Sequence, residues 1–437
     1  MVRSAQVASR TSRSDASRAA GQPRVAVALH EGFHGAASGT GFSNRAFLTA
    51  LSRLLPAGRL TVITPGVPEG AGAHDQRWTR EVRELLRRVS AEVVTLPEVH
   101  APPGSVQGTS ALCALAGEEV RRVAGRVGRC LLIGLDTPLL GLASHISPAM
   151  DLLLVPRSTG LLDGSGDAAR IGWEGAALRE ATARGGWVGA ISTHMGDHLT
   201  THYSVPRANV VNIPNGLVHE ETTRPRNLPP LPAGAESGFL LAMGRAVPTK
   251  GFEDLLEALH ILKRQGRRVP HLLLAAVTSD RHESLTPYQQ ALAARIRAYD
   301  LNANLISHFS PAIRAWLHSP ALRAVVVPSR EEPFGRIPLE AFAAGAGPVV
   351  ATSAGGLAQT VVDGRTGFTA APRNPRSLAA ALHRALTVRP QERTKLRRNG
   401  TVLVRTRHDY EANIRSALGR VAPWALAAGP TTVGAER

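Results

Sequence analysis

Two textures of apolar and polar positions repeat along this chain. Short continuous apolar runs, rich in Val, Ile and Leu, are bounded by Gly, Pro, Ser or Asp: RVAVALH from Arg24 to His30, then RLTVITP, AEVVTLP, CLLIGLD and DLLLVPRS. Runs of that length and composition suit strands buried on both faces. Between them lie FSNRAFLTALSRLL, a segment from about Thr79 to Val89 and one from about Leu112 to Val123, with apolar residues at helical spacing. Strands alternating with helices predict a doubly wound parallel sheet. A glycine-rich loop, EGFHGAASGTG, joins the first strand to the first helix, a layout that lets backbone approach a phosphate. STGLLDGSGD, from Ser158 to Asp167, reads as a flexible loop.

The same texture continues through a helix, a strand and a further helix to Pro214-Asn215-Gly216, where Asn-Gly signals a turn. The composition then changes. ETTRPRNLPPLPAGAES, Glu221 to Ser237, holds Pro225, Pro229, Pro230 and Pro232 and reads as a semi-rigid linker. After it the strand and helix texture restarts with GFLLAMGR, HLLLAAVTS, NLISHFS and RAVVVPS. The expected organisation is a tail at 1–22, a first Rossmann-like domain at 23–220, the linker at 221–237, a second Rossmann-like domain at 238–407, a terminal helix within 408–427 and a tail at 428–437. Both tails read as disordered from their composition.

Composition narrows the functional classes. A chain of 437 residues can bury two full cores. Its formal charge of +17 points toward an anionic substrate or surface. The basic residues are dispersed and aromatics make up only 4%, so nucleic acid is not an expected partner. A weak peripheral attraction to anionic membrane is compatible with the charge. Oligomeric state is not legible. No apolar run reaches the ~18 residues of a membrane span. The first twenty residues lack the apolar core of a secretory signal. Cys113 and Cys130 form no disulfide framework or metal spacing, so a reduced, cytoplasmic setting is expected.

The chemistry concentrates between Arg323 and Gly356. An apolar run, Val325 to Val327, ends at Pro328-Ser329. Glu332 and Glu340 follow, eight positions apart, around a helix start, and a second apolar run closes a strand, helix, strand unit. In parallel sheets ligands sit beyond the carboxyl ends of the strands, where the Glu332 loop falls. Backbone amides of Phe334, Gly335, Arg336 and Ile337 would be unpaired donors there, an anion site between two acceptors. That order fits a nucleotide sugar, with phosphate in the middle and hydroxyls at both ends. Taken alone, the pair also reads as solvated or helix-capping acids. Upstream, Gly244-Arg245 and Lys250-Gly251 lie between a strand and an amphipathic helix, and put a planar fork and a point charge in one loop. His194, His198 and His202 share a helix face, and no metal is expected there.

The string EPFGRIPLEAFAAGAGPVVATSAGG, Glu332 to Gly356, resembles the glutamate-x7-glutamate signature of retaining GT-B glycosyltransferases, the large family of sucrose synthases and bacterial mannosyl- and glucosyltransferases. GRAVPTKG, Gly244 to Gly251, resembles the same family's GRxxxxKG motif. The resemblance extends over roughly 24–425. It implies two Rossmann-like domains facing across a cleft, with the terminal helix crossing back to the first. It also implies a nucleotide-diphosphate sugar, UDP- or GDP-linked, as co-substrate, with no other cofactor and no metal. Arg245 and Lys250 would bind the diphosphate. Glu332 would hold hydroxyls of the transferred sugar with help from Phe334 and Gly335, and Glu340 would hold the ribose. Gly39, Thr40 and Gly41 fall where the family's glycine pair touches the donor.

Departures from the pattern are specific. Ser158 and Thr159 stand where the family often has a donor-facing His. Gln359 replaces a common Glu. GAGP has one residue more than the usual GxP. Arg336 adds a cation beside the phosphate site, a third diphosphate contact by expectation. His30, Glu31 and His34 are acceptor-side candidates. The expected activity is hexosyl transfer to a small polar acceptor of secondary metabolism, a sugar, cyclitol or aminocyclitol. The alternatives are a phospholipid or polyprenyl acceptor at a membrane, or a non-catalytic scaffold of the same fold.

Overall fold

The computed structural model describes residues 21–36, 38–67, 74–99, 101, 104–164, 166–278 and 284–426. In the first domain the apolar runs form β1 (Arg24–Leu29), β2 (Leu60–Pro65), β3 (Glu92–Leu96), β4 (Cys130–Leu135), β5 (Asp151–Val155), β6 (Trp187–Ala190) and β7 (Val210–Asn212). The helical stretches form α1 (Gly39–Leu54), α2 (Gln76–Arg88), α3 (Val106–Ala124), α4 (Ala168–Ala183) and α5 (Thr193–His202). Side chains of Ser38, Asp75, Ser105, Asp167 and Ser192 accept hydrogen bonds from first-turn amides and so fix where these five helices begin.

The second domain repeats the plan. Its strands are β8 (Phe239–Arg245), β9 (His271–Thr278), β10 (Ala303–His308), β11 (Leu322–Val327), β12 (Val349–Thr352) and β13 (Phe368–Ala370). Its helices are α6 (Phe252–Arg264), α7 (Pro287–Ala298), α8 (Pro311–Ala315), α9 (Arg336–Ala343), α10 (Leu357–Thr360), α11 (Pro375–Thr387) and α12 (Pro390–Arg407). A last helix, α13 (Tyr410–Val421), returns to the first domain and packs on α1 and β7.

Both sheets are parallel throughout, with orders β3-β2-β1-β4-β5-β6-β7 and β10-β9-β8-β11-β12-β13. Chain direction across the sheet reverses between β1 and β4, and again between β8 and β11. Such switch points open a crevice at the carboxyl ends of the strands. The two crevices face each other, and the loops that follow β1, β5, β8 and β11 meet between the domains.

Local differences from the sequence expectation are instructive. α1 starts at Gly39, so Gly39, Thr40 and Gly41 form its first turn instead of ending a loop. Ser38 is the cause: its Oγ accepts from Thr40 N, while its own N–H and hydroxyl donate to the Glu31 carboxylate. The Ser158–Asp167 loop, flexible by composition, is anchored. The wholly buried Glu174 carboxylate accepts from the Gly160 amide, Tyr203 Oη and Arg170 Nε, and Arg170 pairs with Asp163 at 2.6 Å. Gly21 pairs with Val127. Most of the two expected tails, 1–20 and 427–437, lies outside the described residues. Among the described residues no helix is long and apolar enough to cross a membrane. Burial pushes both thiols up, Cys113 to about 12 and Cys130 to about 11, which leaves them unreactive near neutrality.

Candidate functional site

The interdomain cleft is assembled from strand ends. β8 delivers Gly244 and Arg245, and a tight turn, Pro248–Lys250, carries Lys250 toward the loop after β11. Gly251 lets α6 begin there. It sits at φ +65°, and an added Cβ would lie 2.1 Å from the Pro328 carbonyl oxygen. Gly251→Ala is expected to destabilise the protein by about 2–4 kcal/mol through backbone strain plus this clash. Thermal melting checks this, and a loss below about 1 kcal/mol would show that the turn relaxes freely.

Lys250 Nζ donates to Glu332 Oε2 at 2.6 Å, and Ser329 Oγ donates to the same oxygen at 3.1 Å. Both partners of the ion pair are largely shielded, with side-chain exposures of 17% and 12%, so the charges interact through little solvent. The loop is held against α6 by Arg330, whose fork meets both oxygens of Asp254 at 2.7 Å, while its amide donates to Thr249 O. Arg245 is exposed at the cleft edge and forms no ion pair among the described residues.

α9 begins beyond Gly335, at φ +89°, and no side chain caps it. Its first-turn amides are therefore available to an anion. Phe334, Gly335, Arg336 and Ile337 all line the cleft, with Gly244, Arg245, Lys250 and Glu332. Gly39 and Thr40 line it from the opposite domain. The structure thus gathers most of the residues that the sequence singles out, from both domains, into one cleft.

Some residues land elsewhere. Gly41 faces Ala36 and the Glu31 carboxylate, each within 2.6 Å of an added Cβ, so it is a packing position and does not line the cleft. His30, Glu31 and His34 do not line it either. Glu31 braces Ser38, with its carboxyl raised by burial although the Ser38 hydrogen bond opposes this. His34 is buried against Phe33 and His74, and burial lowers its ring below the usual range. Glu340 is 7% exposed and lies behind the cleft wall. Its oxygens accept from Arg314 Nε at 2.8 Å and Arg336 Nε at 3.3 Å. Burial alone would raise this carboxyl, but the two guanidiniums outweigh it and hold the group below its usual range. Arg336 reaches the cleft, yet each of its three nitrogens donates to protein: to Glu340, to Gly216 O at 3.1 Å and to Glu221. The expected diphosphate contact is here a strap between domains.

The His194, His198 and His202 rings do follow one another along one face of α5, tilted and with centroids 6.4 and 5.0 Å apart. His198 Nε2 lies 2.8 Å from Thr159 Oγ1, and burial, aided by the two neighbouring histidines, drives the ring down to about 4.

Sequence reasoning missed several cleft residues. Arg314 stacks over the Phe42 ring at 3.5 Å while bonding Glu340, joining the domains behind the site. Phe309 packs on Phe42. Ser192 donates to Pro333 O at 2.7 Å, and Gln359 accepts from the Thr193 amide, both across the cleft. Asn215, which reads as a turn residue, is 4% exposed and accepts from Arg157. Its neighbour Gly216 leaves no room for a side chain, since an added Cβ would lie 2.4 Å from His408 O. No local pattern announces these contacts, which join segments distant in sequence.

Two facing parallel-sheet domains with a cleft of cations, a carboxylate and an open helix start define the GT-B architecture. The model of the family described as Glycosyl transferases group 1 matches residues 224–402, a stretch that contains most of the second domain. The chain is 32% identical over 200 residues to glycogen synthase of Mycobacterium tuberculosis, a match covering 45% of this chain and 44% of that protein. It is 36% identical over 167 residues to D-inositol 3-phosphate glycosyltransferase of Frankia alni, covering 37% and 39%. The chain therefore spans less than half the length of these relatives. The fold is shared more widely. Sucrose-phosphate synthase from Thermosynechococcus elongatus superposes with a TM-score of 0.69 at 22% identity over 92% of this chain and 98% of that one. Anabaena HepE in complex with UDP and glucose gives 0.67 at 18% identity, over 91% and 99%.

Proposed function

We propose that the protein is a retaining glycosyltransferase that moves a hexosyl group from a nucleotide-diphosphate sugar, UDP- or GDP-linked, to a hydroxyl of a small polar acceptor. The observation that carries this reading is the shielded Lys250–Glu332 pair beside Arg245 and the uncapped start of α9. As the glycosidic bond breaks, negative charge grows on the leaving diphosphate. Arg245, Lys250 and the α9 amides stabilise it there, lowering the barrier more than they strengthen donor binding. Glu332 accepts hydrogen bonds from hydroxyls of the transferred sugar and holds its ring. The incoming hydroxyl attacks the face the diphosphate leaves and gives its proton to the departing phosphate oxygen, so no covalent enzyme intermediate is required. Glu340 would meet the ribose hydroxyls only by exchanging its bond to Arg314.

A cyclitol or sugar acceptor is supported by the inositol phosphate named for the Frankia protein. An acceptor in a membrane surface is the second reading, favoured by the +17 charge. Thermal melting with a panel of nucleotide sugars, combined with assay of released nucleoside diphosphate, tests the proposal. One UDP- or GDP-sugar is expected to stabilise the protein, by about 2.7 kcal/mol at a hundredfold excess over Kd. If no donor raises the melting temperature or is cleaved, the enzyme reading fails and a non-catalytic scaffold remains.

A further inference from the structure

We infer that Arg157 forms an anion subsite on the first-domain wall of the cleft and binds a phosphoryl or carboxylate oxygen of the substrate. The inference rests on the cleft being the substrate site. Arg157 follows β5 and is 4% exposed. Its Nε donates to Asn44 Oδ1 at 3.0 Å, and its Nη1 donates to Asn215 Oδ1 at 2.6 Å and Tyr410 Oη at 2.8 Å. All three acceptors are uncharged. Among the described residues no carboxylate pairs with it, and Nη2 has no hydrogen-bond partner. A buried cation without a counter-charge is costly, and an unfilled guanidinium nitrogen adds to the cost. A bound anion removes both penalties.

The surroundings point the same way. Arg157 is the one Arg or Lys that the described residues of the first domain contribute to the cleft lining, facing Arg245 and Lys250 of the second. It is bonded to α1 through Asn44. The first turns of α1 bring Gly39, Thr40 and Ser43 to the same cleft, and the first turn carries no acidic residue. The positive end of that 16-residue helix and the guanidinium therefore act on one region. The anion has two sources: the donor's diphosphate, or an acidic group on the acceptor. The competing role is purely mechanical, with Arg157 holding α13 through Tyr410.

Titration calorimetry on the full chain separates these cases. The variants are Arg157→Gln, Arg157→Lys and Tyr410→Phe. The probes are the nucleoside diphosphate bound by the wild type against its neutral nucleoside, and glucose 6-phosphate against glucose. Loss of a charge-assisted bond to phosphate corresponds to roughly tenfold or more in affinity. Arg157→Gln should weaken an anionic probe by that factor, shift its neutral counterpart less than about twofold, and be largely rescued by Arg157→Lys. The probe pair that responds identifies the source. Tyr410→Phe should leave anion affinity within about twofold. Equal losses for charged and neutral probes, no loss for either, or a Tyr410→Phe loss as large as that of Arg157→Gln would each overturn the inference while leaving the proposed activity intact. A wild type that binds no nucleoside diphosphate would overturn both.

Discussion

Lys250→Ala is expected to lower the rate of nucleoside diphosphate release from the preferred donor by roughly 10²–10³-fold, mostly in kcat. The argument is electrostatic. Lys250 is shielded, 2.6 Å from Glu332, and held in place by a turn that only glycine completes at position 251. A cation so placed needs no reorganisation when charge develops on the leaving group, which is where preorganised charges act most strongly. Lys250→Arg should recover little, because a planar fork does not fit the space of a point charge bonded to one carboxylate oxygen. Glu332 should stay in position in the alanine variant, since Ser329 still donates to it. Steady-state kinetics with donor varied provides the check. An alanine variant that keeps more than about a third of the parent kcat would remove Lys250 from the reaction.

The second large effect falls on stability. Arg336→Met is expected to cost about 3–5 kcal/mol, because it leaves two carboxylates, Glu340 and Glu221, short of a buried partner and breaks the bond to Gly216 O. The pH dependence carries a sign. The folded protein holds the Glu340 carboxyl below its usual value of 4.5, so the unfolded chain binds the proton more readily. Stability from this group is present above pH 4.5 and is lost as pH falls through the lower folded value. Without Arg336 the depression shrinks and acid unfolding starts at higher pH. Thermal melts between pH 3 and pH 7 read both effects. A variant that melts like the parent across that range would show that the network is solvated and weak.

The strand and helix plan was legible because strands buried on both faces read as unbroken apolar runs, and because cap residues such as Ser192 and Asp167 stand where helices start. The cation loop and the Glu332 loop were legible for a related reason. Each is a short contiguous string, so its members stay together in any fold that keeps the strand, turn, helix unit. The bonds of Glu340 and Arg336 are not legible in sequence, because their partners, Arg314 and Glu221, come from segments whose approach only tertiary structure sets. The α1 start was missed because a glycine-rich stretch reads as loop, while Ser38 and Glu31 supply a cap that such a stretch lacks by itself. Arg157 was passed over for a comparable reason: its meaning lies in what it does not touch.

The chain passes between the domains twice. It leaves through the proline-rich segment, which Trp316 Nε1 pins at Pro230 O, and returns at His408 to Tyr410, where Leu217 exchanges backbone bonds with both flanking residues. Two strands of covalent chain therefore define a hinge line, as two pins define the axis of a door. Rotation about that line is opposed, among the described residues, by contacts between the domains that include those of Arg314, Phe309, Arg336, Ser192 and Gln359. Twisting and sliding of one domain over the other would stretch backbone. The two crossings thus leave one principal direction in which the domains can turn against each other, and the side-chain contacts across the cleft are what set the angle between them.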